Sequence, residues 1–256
     1  PPDGDERLLD ATLTVDERRH VLDLIRKRVH DRIPVPYLTK TAWYAGLPFH
    51  VDARVLIPRS PIFELIEREF DPWFETPIDR PVRFLDLCTG SGCLGIITAL
   101  KFPESTGVLA DLESGACQVA RENVNFHQVG DRLEVIQSDG FDGLSEGTFD
   151  VIICNPPYVD AEDMAGLPPE FQKEPTVALA SGNDGLTLVR RLLGQAADWL
   201  ASDGIMVLEV GNTWGLLDRE ITSRTGESVQ WCKFEFGGHG VCVLSKQELN
   251  TLYSAF

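Results

Sequence analysis

From about position 81 onward the chain alternates two kinds of apolar pattern. Short continuous runs of β-branched and aliphatic residues read as strands buried on both faces, near Val82–Leu87, Thr106–Ala110, Leu133–Gln137, Phe149–Cys154, Gly204–Val210, Val229–Phe236 and Gly240–Leu244. Between them, helical patterns run over Gly92–Lys101, Ser114–His127, Leu186–Leu200 and about Thr213–Arg224. Strands alternating with helices predict an α/β fold, a Rossmann-like sheet of seven strands, mostly parallel and covered on both faces. Only Gly237-Gly238-His239 joins the last two strands, too short for a parallel crossover, so the last strand is expected to run antiparallel.

The first eighty residues read differently. Thr14 and Glu17 have the spacing of a capping box, and Val21, Leu22, Leu24, Ile25 and Val29 recur on one face of a packing helix that Pro34 and Pro36 stop. Thr41 to Val51, with Trp43, Tyr44 and Phe49 around a Gly46-Leu47-Pro48 turn, reads as a hairpin. Ser60 can cap, and Pro61 can open, a helix running to about Phe70. A connector from Asp71 to Arg80 then sets a boundary. The expected organisation is a partial helical region over 1–36, a hairpin and linker helix over 37–80, and an α/β domain over 81–256.

Composition narrows the class. With 43% hydrophobic residues and no apolar run near the roughly 18 needed to cross a bilayer, no membrane role is implied. Cys88, Cys93, Cys117, Cys154, Cys232 and Cys242 mostly sit in apolar segments and form no C-x-x-C pair, which fits a reduced cytoplasmic protein better than a disulfide frame or a zinc site. The five histidines show no ligand spacing, so no metal is expected. A net charge of −17 disfavours nucleic acid as the main partner and suits a basic protein. The sequence opens at Pro1-Pro2 with neither an initiator Met nor a signal pattern, so it is expected to belong to a longer chain.

Asn155-Pro156-Pro157-Tyr158 directly follows the Phe149–Cys154 run. Two prolines lack the N–H donors a ladder needs, so the strand stops at Asn155. Ligands of open α/β sheets sit outside the carboxyl ends of the strands, which puts an amide side chain and a rigid turn where chemistry occurs. The same residues also make an ordinary turn.

Asp86-Leu87-Cys88-Thr89-Gly90-Ser91-Gly92 supplies a second feature, a glycine-rich loop between a strand and a helix that lets a ligand approach the backbone closely. Asp111 ends the next strand, about twenty residues on, where a carboxylate can accept from ribose hydroxyls. The pair fits an adenosine-containing cofactor. Three features favour S-adenosyl-L-methionine over a dinucleotide: no G-x-G-x-x-G spacing, an acidic residue opening the loop, and an antiparallel end to the sheet. Asp86 can attract the cofactor's cationic centre and amino group. Asp139, in Gln137-Ser138-Asp139-Gly140-Phe141, is placed to meet the adenine amino group. All three aspartates can instead cap loops. Arg54 and Arg59 suit either surface ion pairs or an anionic ligand. Glu209 can face the pocket or a neighbouring loop. Glu174-Pro175 and Ser181 to Gly185 can cover the site but fit better as a cap for the next helix.

Taken together, Asp86 to Gly92, Asp111, Asn155 to Tyr158 and Val55-Leu56-Ile57-Pro58-Arg59 resemble the protein-glutamine methyltransferases, the HemK or PrmC group, over nearly all of residues 35–245. Ile57-Pro58-Arg59-Ser60-Pro61-Ile62, Asp86 to Gly92 and Tyr158-Val159-Asp160-Ala161-Glu162-Asp163-Met164 resemble its PrmB branch, which methylates a glutamine of the third large-subunit ribosomal protein. Cys88 replaces the glycine usual in the broader methyltransferase loop, and Gly140 stands where the sibling branch places a large aromatic. The resemblance implies an S-adenosyl-L-methionine-dependent methyltransferase fold over 81–256, with substrate docking by 1–36 and a ribosomal protein as partner. It implies cofactor contacts at Asp86, Cys88, Thr89, Gly90, Ser91, Gly92, Asp111, Asp139, Gly140, Phe141 and Asn155. Substrate binding falls to Asn155, Pro156, Pro157 and Tyr158, and catalysis to Asn155 and Pro156.

An amide nitrogen is a poor nucleophile because its lone pair is delocalised into the carbonyl, so the enzyme must hold it in near-attack geometry. The Asn155 side-chain oxygen and the Pro156 carbonyl can accept its two protons. Three alternatives stand beside this reading: methylation of release factors, methylation of an adenine amino group in nucleic acid, and a cofactor-binding assembly factor that modifies nothing. The net charge opposes the adenine reading, and an intact Asn155 and glycine loop oppose the assembly factor.

Overall fold

The computed structural model describes residues 10–145 and 147–253; residues 1–9 of the expected helical region lie outside them. Thr14 caps α1 (Val15–His30) through the expected box, its hydroxyl accepting from the Glu17 amide at 3.3 Å while Glu17 accepts from the Thr14 amide at 2.7 Å. The packing role is corrected. No residue of α1 is buried, and Val21, Leu22, Ile25 and Val29 are exposed. Near its end, Arg28 and Arg32 reach Glu170 at 2.8 and 3.4 Å. A short α2 (Val35–Thr39) follows, with Pro36 at its N-terminal end.

The hairpin pairs β1 (Thr41–Tyr44) with β2 (Leu47–His50). Its turn is Ala45-Gly46, both at positive φ (49° and 76°), a two-residue loop whose twist matches the strands. Leu47 and Pro48 therefore belong to the strand and not to the turn. The next helix, α3 (Phe63–Glu67), is shorter than expected. Ser60 does cap the segment, its hydroxyl accepting from the Ile62 amide at 3.1 Å while donating to Glu209, and the chain leaves the helix where Glu69 and Phe70 take φ of 56° and 62°.

The α/β part runs β3 (Arg83–Leu87), α4 (Cys93–Lys101), β4 (Thr106–Asp111), α5 (Ser114–Phe126), β5 (Leu133–Gln137), β6 (Phe149–Cys154), α6 (Ala161–Gly166), α7 (Thr187–Trp199), β7 (Leu200–Glu209), α8 (Trp214–Thr225), β8 (Val241–Ser245) and α9 (Lys246–Tyr253). The sheet order is β5-β4-β3-β6-β7-β8, parallel except for β8 against β7. Among the described residues it has six strands, not seven. The expected strand over Val229–Phe236 makes only a bridge from Trp231 to Cys242. Of its amides only that of Cys232 reaches β8, at the Val241 carbonyl; those of Glu235 and Phe236 donate to the Glu64 carboxylate, and that of Val229 to Asp218.

Every residue of β6 is buried. Val151 and Ile153 join Phe84, Ile96 and Leu65 on one face of the sheet, while Ile152 and Cys154 join Leu85, Leu192 and Leu249 on the other. Each such aliphatic side chain contributes about 1.5–3 kcal/mol by its removal from water. The one charge in the strand, Asp150, is held by the Arg80 fork at 2.6 and 2.7 Å and by the Arg83 amide at 2.8 Å. No helix among the described residues is long and apolar enough to cross a membrane.

Candidate active site

The chain reverses direction across the sheet between β3 and β6, whose last residues Leu87 and Cys154 pair in register. Such a switch point opens a crevice outside the carboxyl ends of the strands. A cavity of about 290 Å³ lies there. Its wall is formed by Leu87, Cys88 and Gly90 after β3, Ala110 and Asp111 at the end of β4, Ser138, Asp139 and Gly140 after β5, and Asn155 and Pro157 after β6.

The glycine loop owes its shape to left-handed residues: Cys88, Gly90 and Gly92 have φ of 57°, 55° and 81°. Cys88 holds that conformation with a side chain, at a cost of about 1–2 kcal/mol. A Cβ added at Gly90 would meet no atom within 4 Å and would stand free, whereas one at Gly92 would come 3.2 Å from Leu109. Gly90 thus leaves room at the cavity, and Gly92 lets the helix pack on β4. Asp86 stands behind the wall, 1% exposed, with one oxygen accepting from the Thr89 hydroxyl at 2.5 Å and the Gly95 amide at 2.9 Å. Burial pushes its carboxyl up to about 7 despite these bonds. Asp86 thus organises the loop from behind the wall, and Thr89, Ser91 and Gly92 also stand off it.

Asn123 on α5 carries no sequence signal, yet it joins three segments. Its amide donates to the carbonyls of Ser91 and His50 at 2.8 and 3.0 Å and accepts from the His50 amide at 2.7 Å, stapling the hairpin to the glycine loop.

Asp111 accepts from the Gly90 amide on one oxygen at 2.8 Å and from the Glu113 amide on the other at 3.0 Å. A carboxylate has about four acceptor sites, so lone pairs remain for hydroxyl donors in the cavity. Burial raises its pKa. Asp139 reaches the wall but is paired with Arg191, which lowers its pKa. Phe141 does not line the cavity; it is buried and stacks on Trp199, ring centroids 5.7 Å apart.

Asn155 faces the cavity with its side-chain amide uncommitted, and the Pro156 carbonyl likewise receives no hydrogen bond among the described residues. Tyr158 is turned away from the cavity. Its hydroxyl donates to Glu209 at 2.9 Å, and Ser60 donates to the other Glu209 oxygen at 2.5 Å. Glu209, left open between pocket and loop by the sequence, therefore bonds outside the cavity. Burial raises its pKa, and the two hydroxyl bonds oppose that rise.

The segment after Glu174 does both things the sequence allowed. Ser181 and Asp184 accept from the Leu188 and Leu186 amides at the start of α7, while Pro175, Val177, Ala178, Ala180 and Ser181 close the cavity as a lid. Glu174, 6% exposed, ties the lid to the Ile57 amide and to Arg59. Arg54, which forks onto Asp52, lines the cavity beside Val55 and Leu56.

The chain is similar to known proteins. Residues 74–216 match the model of the methyltransferase small domain family. The ribosomal protein uL3 glutamine methyltransferase of Bordetella pertussis is 43% identical over 253 residues, 98% of this chain and 83% of that protein. The protein of the same name from Francisella tularensis is 40% identical over 99% of this chain and 80% of its own length. Among solved structures, the hMettl16 catalytic domain in complex with MAT2A 3′UTR hairpin 6 superposes with TM-score 0.61 at 15% identity, covering 96% of this chain and 93% of that one. A methyltransferase from Pyrococcus furiosus gives 0.55 at 20%, covering 91% and 99%. These two show a shared fold. Near full-length identity and the domain match together show that the chain belongs to the methyltransferase small domain family and, within it, to the family of the ribosomal protein uL3 glutamine methyltransferases.

Proposed function

We propose that this protein transfers the methyl group of S-adenosyl-L-methionine to the side-chain amide nitrogen of a glutamine in the large-subunit ribosomal protein uL3. The observation that carries this is Asn155: an uncommitted carboxamide in the same cavity wall as Gly90 and Asp111, followed by Pro156, which is buried beside the wall and whose carbonyl receives no hydrogen bond among the described residues.

The residues present fit that cofactor. The open space at Gly90 admits a ligand against the loop backbone, Asp111 keeps acceptor capacity for ribose hydroxyls, and Cys88, Asp139 and Gly140 complete the wall. When bound, S-adenosyl-L-methionine supplies an electrophilic methyl on a sulfonium centre. The protein's task is then to orient the acceptor. Asn155 Oδ1 and the Pro156 carbonyl accept the two amide protons and weaken delocalisation of the nitrogen lone pair, which is left pointing along the line of attack. Pro157 has no N–H to compete for the substrate. The lid residues Pro175 to Ser181 exclude water, and fixed dipoles act more strongly in the drier site. The proton leaves to water after transfer, so no strong base is required.

In this reading residues 1–36 dock the substrate, the encounter takes place in the cytoplasm, and a basic ribosomal protein suits a chain of net charge −17. Nucleic acid is not the primary partner. The test is incubation with methyl-labelled cofactor and, separately, ribosomal proteins, release factors and naked RNA. Label on a uL3 glutamine is expected; label on RNA or on release factors alone contradicts the proposal.

A further inference from the structure

Glu209 has no place in the cavity wall, yet it is a carboxylate only 5% exposed. Burying such a group is costly unless it is well bonded. Among the described residues no Lys or Arg forms an ion pair with it; it is held by two hydroxyls, Ser60 at 2.5 Å and Tyr158 at 2.9 Å. An apolar side chain of similar size would serve packing at lower cost, so stability alone does not account for an acid here.

What the carboxylate touches suggests its use. Tyr158 closes the Asn155–Tyr158 turn and is closely approached by two glycines. At Gly211 (φ 46°), just beyond β7, an added Cβ would fall 2.4 Å from the Tyr158 ring; at Gly185 (φ 76°) it would fall 2.2 Å from the Tyr158 carbonyl. Next to Tyr158, Val159 donates to the Leu179 carbonyl at 2.8 Å and accepts from the Ser181 amide at 3.2 Å, joining the turn to the lid. On the other side, the Ser60 carbonyl accepts from Tyr44 of the hairpin at 2.5 Å.

We propose that Glu209 is a positioning residue for methyl transfer: by fixing the Tyr158 hydroxyl against Ser60 it sets the orientation of Asn155 and Pro156 towards the acceptor amide. The inference rests on the glutamine-methyltransferase reading given above. Glu209 acts through Tyr158 and touches neither substrate nor cofactor.

The test uses wild type, Tyr158→Phe, Glu209→Gln, Glu209→Ala and the double variant Tyr158→Phe/Glu209→Ala. For each, kcat and KM are measured on the ribosomal protein, cofactor Kd by calorimetry and Tm by thermal unfolding. Glu209→Ala is expected to lose about 10–100-fold in kcat, the scale of a small misplacement at a reacting centre, with cofactor Kd within about twofold. Glu209→Gln, which keeps an oxygen acceptor for Tyr158, is expected to recover most of that rate. Adding Glu209→Ala to Tyr158→Phe is expected to cost little more, because both remove one interaction. Additive losses, or a kcat that falls only in step with cofactor affinity, would overturn the proposal. Tyr158→Phe removes a single hydroxyl and needs no refolding of the site, so full kcat in that variant would overturn it even if Glu209→Ala fails to fold. If wild type itself methylates no ribosomal protein, the underlying functional reading fails; if it does and Tyr158→Phe matches it, only the role of Glu209 fails.

Discussion

Arg59 and Glu174 stand 115 positions apart and meet through contacts of 2.9 and 3.0 Å, with the Ile57 amide adding a third bond to the same carboxylate at 3.0 Å. Glu174 is buried while Arg59 is partly exposed. The lid is thus latched to the segment before α3 by a charge that needs its partner. Arg59→Ala leaves that carboxylate with one amide donor. It is expected to cost about 1–2 kcal/mol in lid closure, weakening cofactor binding roughly 5–30-fold. Calorimetric titration with S-adenosyl-L-methionine checks this, and unchanged affinity would show that the latch does not hold the lid.

Asp86 predicts a pH effect opposite to that of most paired carboxylates. An unfolded aspartate titrates near ~3.9; in the fold, burial lifts Asp86 to about 7. Between those values the folded state binds more protons than the unfolded one, so this contribution to stability is greatest below about pH 4, is lost as pH rises towards 7, and is flat above. At ~1.4 kcal/mol per pH unit the change is on the order of a few kcal/mol. Asp86→Asn is neutral throughout. Urea unfolding is expected to show wild type gaining stability relative to the variant as pH falls from 7 to 4. A relative loss on acidification would mean that Asp86 is ionised in the fold.

Among the described residues the Asn155 side-chain amide has no hydrogen-bond partner, and the proposed mechanism offers it to the substrate. Asn155→Ala is expected to bind cofactor nearly as tightly as wild type and to lose about 10²–10³-fold in rate, the scale of one preorganised hydrogen bond in a transition state. Single-turnover kinetics at saturating cofactor separates the two, and full activity in the variant would remove Asn155 from the mechanism.

The strands that form the crevice were legible because burial on both faces writes a continuous apolar run, as in Phe149–Cys154, and because Asp111 and Asn155 sit where such runs end. The Thr14 box was legible because capping is local. The run over Val229–Phe236 misled because its composition suits a strand, while Glu64 and Asp218, distant in sequence, take three of its amides. Side-chain direction was the other unreadable quantity. Nothing local distinguishes Asp86, turned to Thr89 and Gly95, from Asp111 on the wall, or reveals that Tyr158 turns back to Glu209. Asn123 and the Arg59–Glu174 latch are long-range contacts that no spacing encodes.

Methylation of a glutamine amide in this cavity is the step on which the proposed function stands. Its most direct measurement is peptide mass spectrometry of uL3 after incubation with the protein and methyl-labelled S-adenosyl-L-methionine, with Asn155→Ala as control. The account predicts one added methyl on a glutamine side-chain nitrogen, present with wild type and nearly absent with the variant. A methyl on another residue, on RNA only, or at equal level with the variant would contradict it.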